Sequence, residues 1–110
     1  MTDKIVVLST CASAEEAERI ARLLVERQAA ACVNVISGMR SYYRWKDAIE
    51  ESSEFLLIIK SSRELFDIVR TELVKAHSYE LPELIVLPII DGSPEYLGWI
   101  DSVLAPPKAG

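Results

Sequence analysis

The sequence predicts a single α+β domain, a ferredoxin-like β-α-β-β-α-β sandwich with a long central hairpin and a short helix near its C-terminal end. Three observations carry that prediction. Apolar residues alternate between short β-branched runs and stretches with helical spacing, in that order along the chain. Serine–glutamate pairs three residues apart mark where two of the helices open. The middle of the chain holds two strand-like stretches much longer than a helix of this chain can cover.

The elements follow in order. Lys4–Cys11, with Ile5, Val6, Val7 and Leu8, has the length and composition of a buried strand. Ser13 and Glu16 form a capping box that opens a helix over Ala14–Gln28. Its apolar face is Ala17, Ile20, Ala21 and Leu24, and Glu15/Arg19 and Glu18/Arg22 decorate the other side at i,i+4. Ala29–Ser37 reads as the second strand, Gly38 as a bend or bulge, and pairing resumes through Tyr42–Lys46. A turn near Lys46–Ala48 returns the chain into Ile49–Lys60. A second capping box, Ser61 with Glu64, opens a helix reaching about Ala76 along Leu65, Val69, Leu73 and Ala76. Leu81-Pro82 breaks the chain, and Glu83–Ile90 is the last strand, with Pro88 at an edge or bulge. Ser93 and Pro94 start a short helix carrying Leu97, Ile100 and Leu104. Residues 105–110 read as a flexible tail, so one domain occupies 1–110.

Geometry then points beyond the single chain. A helix of about 15 residues is roughly 22 Å long and covers about seven strand residues. The hairpin from Ala29 to Lys60 has arms about twice that long, and its far half carries Tyr42, Tyr43 and Trp45. Three large aromatics and unpaired backbone on an uncovered arm predict an interface with another copy.

Composition removes several function classes. Twelve Lys and Arg against 17 Asp and Glu leave a formal charge of −5, the wrong sign for a protein whose partner is nucleic acid or an anionic membrane. No run approaches the 18 or so apolar residues of a membrane span. Two cysteines make no disulfide framework, and the start is too briefly apolar for a signal peptide, so the cytoplasm is the expected compartment.

Few residues are left to carry chemistry. His77, the one histidine, follows the second helix in Ala-His-Ser-Tyr-Glu-Leu-Pro-Glu. It reads either as a metal ligand beside Glu80 and Glu83 or as a helix C-terminal histidine favoured by the dipole. Cys11 ends the first strand just before a helix N-terminus, where a thiolate is favoured; a small buried residue is the other reading. Together they form a nucleophile–base pair only if something orients the base, and no phosphate loop, G-x-S-x-G or H-E-x-x-H is present. No enzyme activity is expected.

Ala30-Ala31-Cys32-Val33-Asn34, Tyr43-Arg44-Trp45, Glu50-Glu51 with Leu56–Lys60, His77-Ser78-Tyr79-Glu80-Leu81-Pro82-Glu83 and Tyr96-Leu97-x-Trp99 occur in register over about Lys4–Leu104. In these blocks the chain resembles the CutA divalent-cation tolerance family. The resemblance implies a homotrimer in which hairpin arms extend one sheet into the next, and a role in tolerance of divalent or heavy metals. It implies copper or another divalent cation as ligand. The family's attributed copper ligands, a cysteine and two adjacent histidines, fall on Ser9, Ala76 and His77, so only His77 survives. Cys11, on the same strand face as Ser9, and Glu80 are the expected companions. The family's hairpin glycine is Asp47 here, and its proline after the histidines is Ser78. The PII signalling proteins share the trimeric fold, which leaves two alternatives: a nucleotide- or small-molecule-responsive trimer, for which Arg40, Arg44 and Lys46 are the phosphate-binding candidates, and a scaffold without chemistry.

Overall fold

The computed structural model describes residues 2–106. The strands are β1 (Lys4–Cys11), β2 (Cys32–Trp45), β3 (Ala48–Ser62) and β4 (Ile85–Pro88). The helices are α1 (Ala14–Glu26), α2 (Phe66–Ala76) and α3 (Pro94–Val103). The sheet order is β2-β3-β1-β4 and every neighbouring pair is antiparallel. Both crossovers therefore span an intervening strand, as the split β-α-β arrangement requires.

The core lies on one face of that sheet. Ile5, Val7 and Cys11 of β1 and Leu57 and Ile59 of β3 meet Ala17, Ile20 and Leu24 of α1 and Val69 and Leu73 of α2. Alternation fixes the set, because successive residues of β1 point to opposite faces and only the odd-numbered ones reach the helices. A smaller cluster of Ala31, Leu65, Ile100 and Leu104 seats α3. Neither α1 nor α2 covers the opposite face, where the buried Lys4 at the start of β1 pairs with Asp101 of α3 at 2.8 Å. Cross-strand partners there are Val6 with Leu87, Leu8 with Ile85 and Ile58, and Ile36 with Leu56. Ile36, Ile85 and Leu87 are exposed, and the other four are half-buried.

β2 and β3, of 14 and 15 residues, run far past the helices. Fourteen strand residues extend about 46 Å, and the molecule measures 46 × 26 × 23 Å. The hairpin sets the long axis. Its register shifts between Ile36 and Met39, where Gly38 sits at φ +80°, the bulge its sequence position predicts. The closing turn is Lys46-Asp47, with both residues at positive φ, as a two-residue hairpin turn demands. Aspartate visits that region more readily than most residues, so the turn forms without glycine.

Some sequence expectations need correction. Ser61 does not open a helix. β3 continues through Ser62 because β1 pairs with it out to Lys4, and the buried Ser61 hydroxyl donates to the Ala29 carbonyl at 2.6 Å. The chain then passes through a 3-10 turn, Arg63–Leu65, and α2 begins without a side-chain cap. α1 stops at Glu26 rather than Gln28, which lies at φ +57°. β4 is shorter than Glu83–Ile90. Ala105 is held, its N–H donating to the Gln28 carbonyl at 2.9 Å, and 107–110 of the expected tail lie outside the described residues.

Candidate metal centre

β1 delivers Cys11 to the end of the sheet nearest the start of α1, fully buried on the helix-facing side. Ser13 caps α1, its Oγ accepting the Glu16 N–H at 3.2 Å. That half of the capping box forms; the other half does not. The Glu16 carboxylate turns away from the cap and accepts the Ser78 N–H through Oε2 at 2.9 Å. Glu16 is 95% buried in consequence, at 5% exposure.

His77 ends α2 in extended backbone, which swings its ring back onto β1. The side chain is fully buried. Nδ1 accepts the Tyr79 N–H at 3.1 Å, so the ring proton belongs on Nε2, which lies 2.6 Å from the Thr10 carbonyl. Cys11 Sγ is 3.9 Å from Nε2, and Glu16 Oε1 is 3.8 Å from Nδ1. One ligand atom from each of Cys11, Glu16 and His77 lies within 4.8 Å of the others. Glu16 Oε1 is buried and has no hydrogen-bond partner among the described residues.

The electrostatics are those of a closed acidic pocket. Burial pushes the Cys11 thiol up to about 11, and the nearby carboxylates of Glu16 and Glu54 act in the same direction. For Glu16 burial opposes ionisation, but the hydrogen bonds from Ser78 and the proximity of His77 outweigh it and hold the carboxyl below its ordinary range. Arg19 stands 3.8 Å from Oε2 while donating to the Ala76 carbonyl. Tyr79 donates to Glu54 Oε2 at 2.6 Å, and its phenol is raised by burial and then by that bond.

The structure thus brings together Cys11 and His77, as expected, but with Glu16 rather than Glu80. Glu80 is exposed and lines a separate cavity of about 800 Å³. Tyr42, Tyr43 and Trp45 line the same cavity, between the hairpin arm and the segment that follows α2. They are 62%, 43% and 41% exposed in the single chain. Glu16 was hidden by its own motif: a glutamate three residues after a serine is explained as a cap, and only the contact with Ser78, 62 positions on, reveals another task.

A sheet of this order, two helices on one face and a cysteine–histidine–carboxylate group at the end of β1 define a small ferredoxin-like protein with a candidate cation site. The family model described as CutA1 divalent ion tolerance protein matches residues 5–103, and the chain belongs to that family. The divalent-cation tolerance protein CutA of Thermus thermophilus is 42% identical over 86% of this chain and 92% of its own length. The crystal structure of CutA from Xylella fastidiosa superposes with a TM-score of 0.93 at 38% identity, covering 94% of this chain and all of that one. The Archaeoglobus fulgidus structure, described as a periplasmic divalent cation tolerance protein, gives 0.89 at 41% identity over 91% and 97%.

Proposed function

We propose that this chain works as a cytoplasmic homotrimer in tolerance of, or response to, divalent and heavy metal ions, copper among them, and binds the ion weakly at His77. The observation that carries this reading is the buried His77 ring beside Cys11 and a partnerless carboxylate oxygen of Glu16. Imidazole is a preferred ligand of copper and zinc. Both ring nitrogens already hold hydrogen bonds, so an ion must displace one of them, and that keeps affinity low. Copper titration of the wild type beside His77→Ala, in a buffer without competing ligands, tests it. The alanine variant is expected to lose the site, and equal stoichiometry and affinity would remove His77 from it.

A binding role fits these residues better than catalysis. A nucleophile needs thiolate, and Cys11 is buried with its thiol pushed up to about 11. The cytoplasm suits a chain whose two cysteines are free thiols; among the described residues no helix is long and apolar enough to cross a membrane. A nucleotide-responsive role is less well supported. Glu50, Glu54, Glu80 and Glu83 line the large cavity, while Arg40, Arg44 and Lys46 do not. Phosphate would meet four carboxylates there.

Assembly into trimers rests on the uncovered arm and the apolar rear face of the sheet. Sedimentation equilibrium is expected to give about three times the 12.3 kDa chain mass. A stable monomer would leave the aromatic arm without a purpose and sink the oligomer.

A further inference from the structure

We infer that Cys11, Glu16 and His77 form a relocated, three-residue metal centre in this chain, built for a divalent ion of the zinc class rather than for cuprous copper. The inference rests on His77 being a ligand and adds the identity of its companions and the class of ion.

The positions that the family resemblance assigns are closed. Ser9 is fully buried with its hydroxyl donated to the Glu83 carbonyl at 2.7 Å, and Ala76 has no donor atom. Cys11 lies two residues further along the same face of β1 and supplies a sulfur within 3.9 Å of His77 Nε2. Glu16 supplies what neither neighbour can. A buried carboxylate oxygen with no donor is destabilising, yet Oε1 has no hydrogen-bond partner among the described residues while Oε2 is fixed by Ser78. A cation among the three residues satisfies it.

Charge and donor type then choose the ion. Thiolate and carboxylate bring two negative charges, and the neutral imidazole brings none. A divalent ion cancels both charges among the three ligands, whereas a monovalent one leaves a buried charge that only Arg19, 3.8 Å from Oε2, offsets from outside the group. Sulfur, nitrogen and carboxylate oxygen are the three donors that zinc accepts, with a fourth position open. Cuprous copper favours sulfur and disfavours a carboxylate.

Cobalt(II) is the probe, because it takes the same donors as zinc and reports thiolate ligation through an intense charge-transfer band. Wild type, Cys11→Ser and Glu16→Gln are titrated with Co(II), then with Zn(II) in competition, after circular dichroism melting shows each variant folded. Glutamine retains an acceptor for the Ser78 N–H. Wild type is expected to show the band and lose it to Zn(II). Cys11→Ser should lack it, and Glu16→Gln should bind about 10- to 100-fold more weakly, at least the effect of disturbing groups one step removed from a metal. Should Glu16→Gln fail to fold, the Cys11→Ser result and the order of Zn(II) over Cu(I) affinity decide. Metal bound without the band, or equally tightly by wild type and Glu16→Gln, overturns the three-residue centre and leaves binding at His77 standing. A wild type that binds no Co(II), Zn(II) or Cu(II) overturns both.

Discussion

Trp45→Ala is expected to lower the stability of the assembled protein by about 3–5 kcal/mol, the range for truncating a large aromatic in a packed core. Within one chain nothing justifies so large a loss. Trp45 closes the hairpin opposite Ala48, beyond the reach of both core helices, and is 41% exposed. Tyr43, two residues before it and on the same face, shares a hydrogen bond between its hydroxyl and that of Ser52 of the next strand, at 2.8 Å. The missing burial must come from another copy, and an aromatic at such a contact carries a disproportionate share of the binding energy. Two readouts should therefore move together. The denaturation midpoint falls and becomes more dependent on protein concentration, and the mass in dilute solution shifts toward the monomer. Unchanged melting and unchanged mass would make Trp45 an ordinary surface residue.

The arm was legible because it followed from a length mismatch, which needs only strand rise and helix rise. β1 was legible in full, since Lys4–Cys11 is an unbroken run with its pairing partners on both sides. The Gly38 bulge and the Lys46-Asp47 turn were equally local problems of backbone conformation. What sequence could not supply were destinations of polar side chains. Ser61 has the spacing of a cap, but a buried hydroxyl takes the acceptor that packing brings to it, and here that is Ala29, 32 positions away. Glu16 is similar: local geometry offers it the amide of its own cap, and tertiary structure offers Ser78 and His77 instead. Glu80 lies apart from His77 for the opposite reason. Proximity in sequence meant little once the chain left α2 in extended conformation and turned successive residues to different sides.

Alkaline pH should expose the isolation of Cys11 directly. Its thiol is raised from an ordinary value of 9.0 to about 11, chiefly by burial and then by the Glu16 and Glu54 carboxylates. In the unfolded chain the thiol ionises near 9, while the folded state holds the proton until about 11. Between those values the unfolded state binds fewer protons, so stability falls as pH rises. Below pH 9 the contribution is fully present; above about 11 it is gone, a loss of up to about 3 kcal/mol. Tyr79 and Lys4, both raised above their ordinary 10.0 and 10.5, prolong the decline at its upper end. Cys11→Ser keeps a small polar side chain there and removes the group that titrates. Urea midpoints of wild type and Cys11→Ser, from about pH 8 to about pH 11, are expected to diverge in slope first near pH 9. Parallel curves would mean that the folded protein does not hold the thiol protonated. The same proton bears on metal binding, because an ion using the thiolate must displace it. Affinity in wild type should therefore rise with pH through the neutral range more steeply than in Cys11→Ser, and equal slopes would take the sulfur out of the metal's coordination.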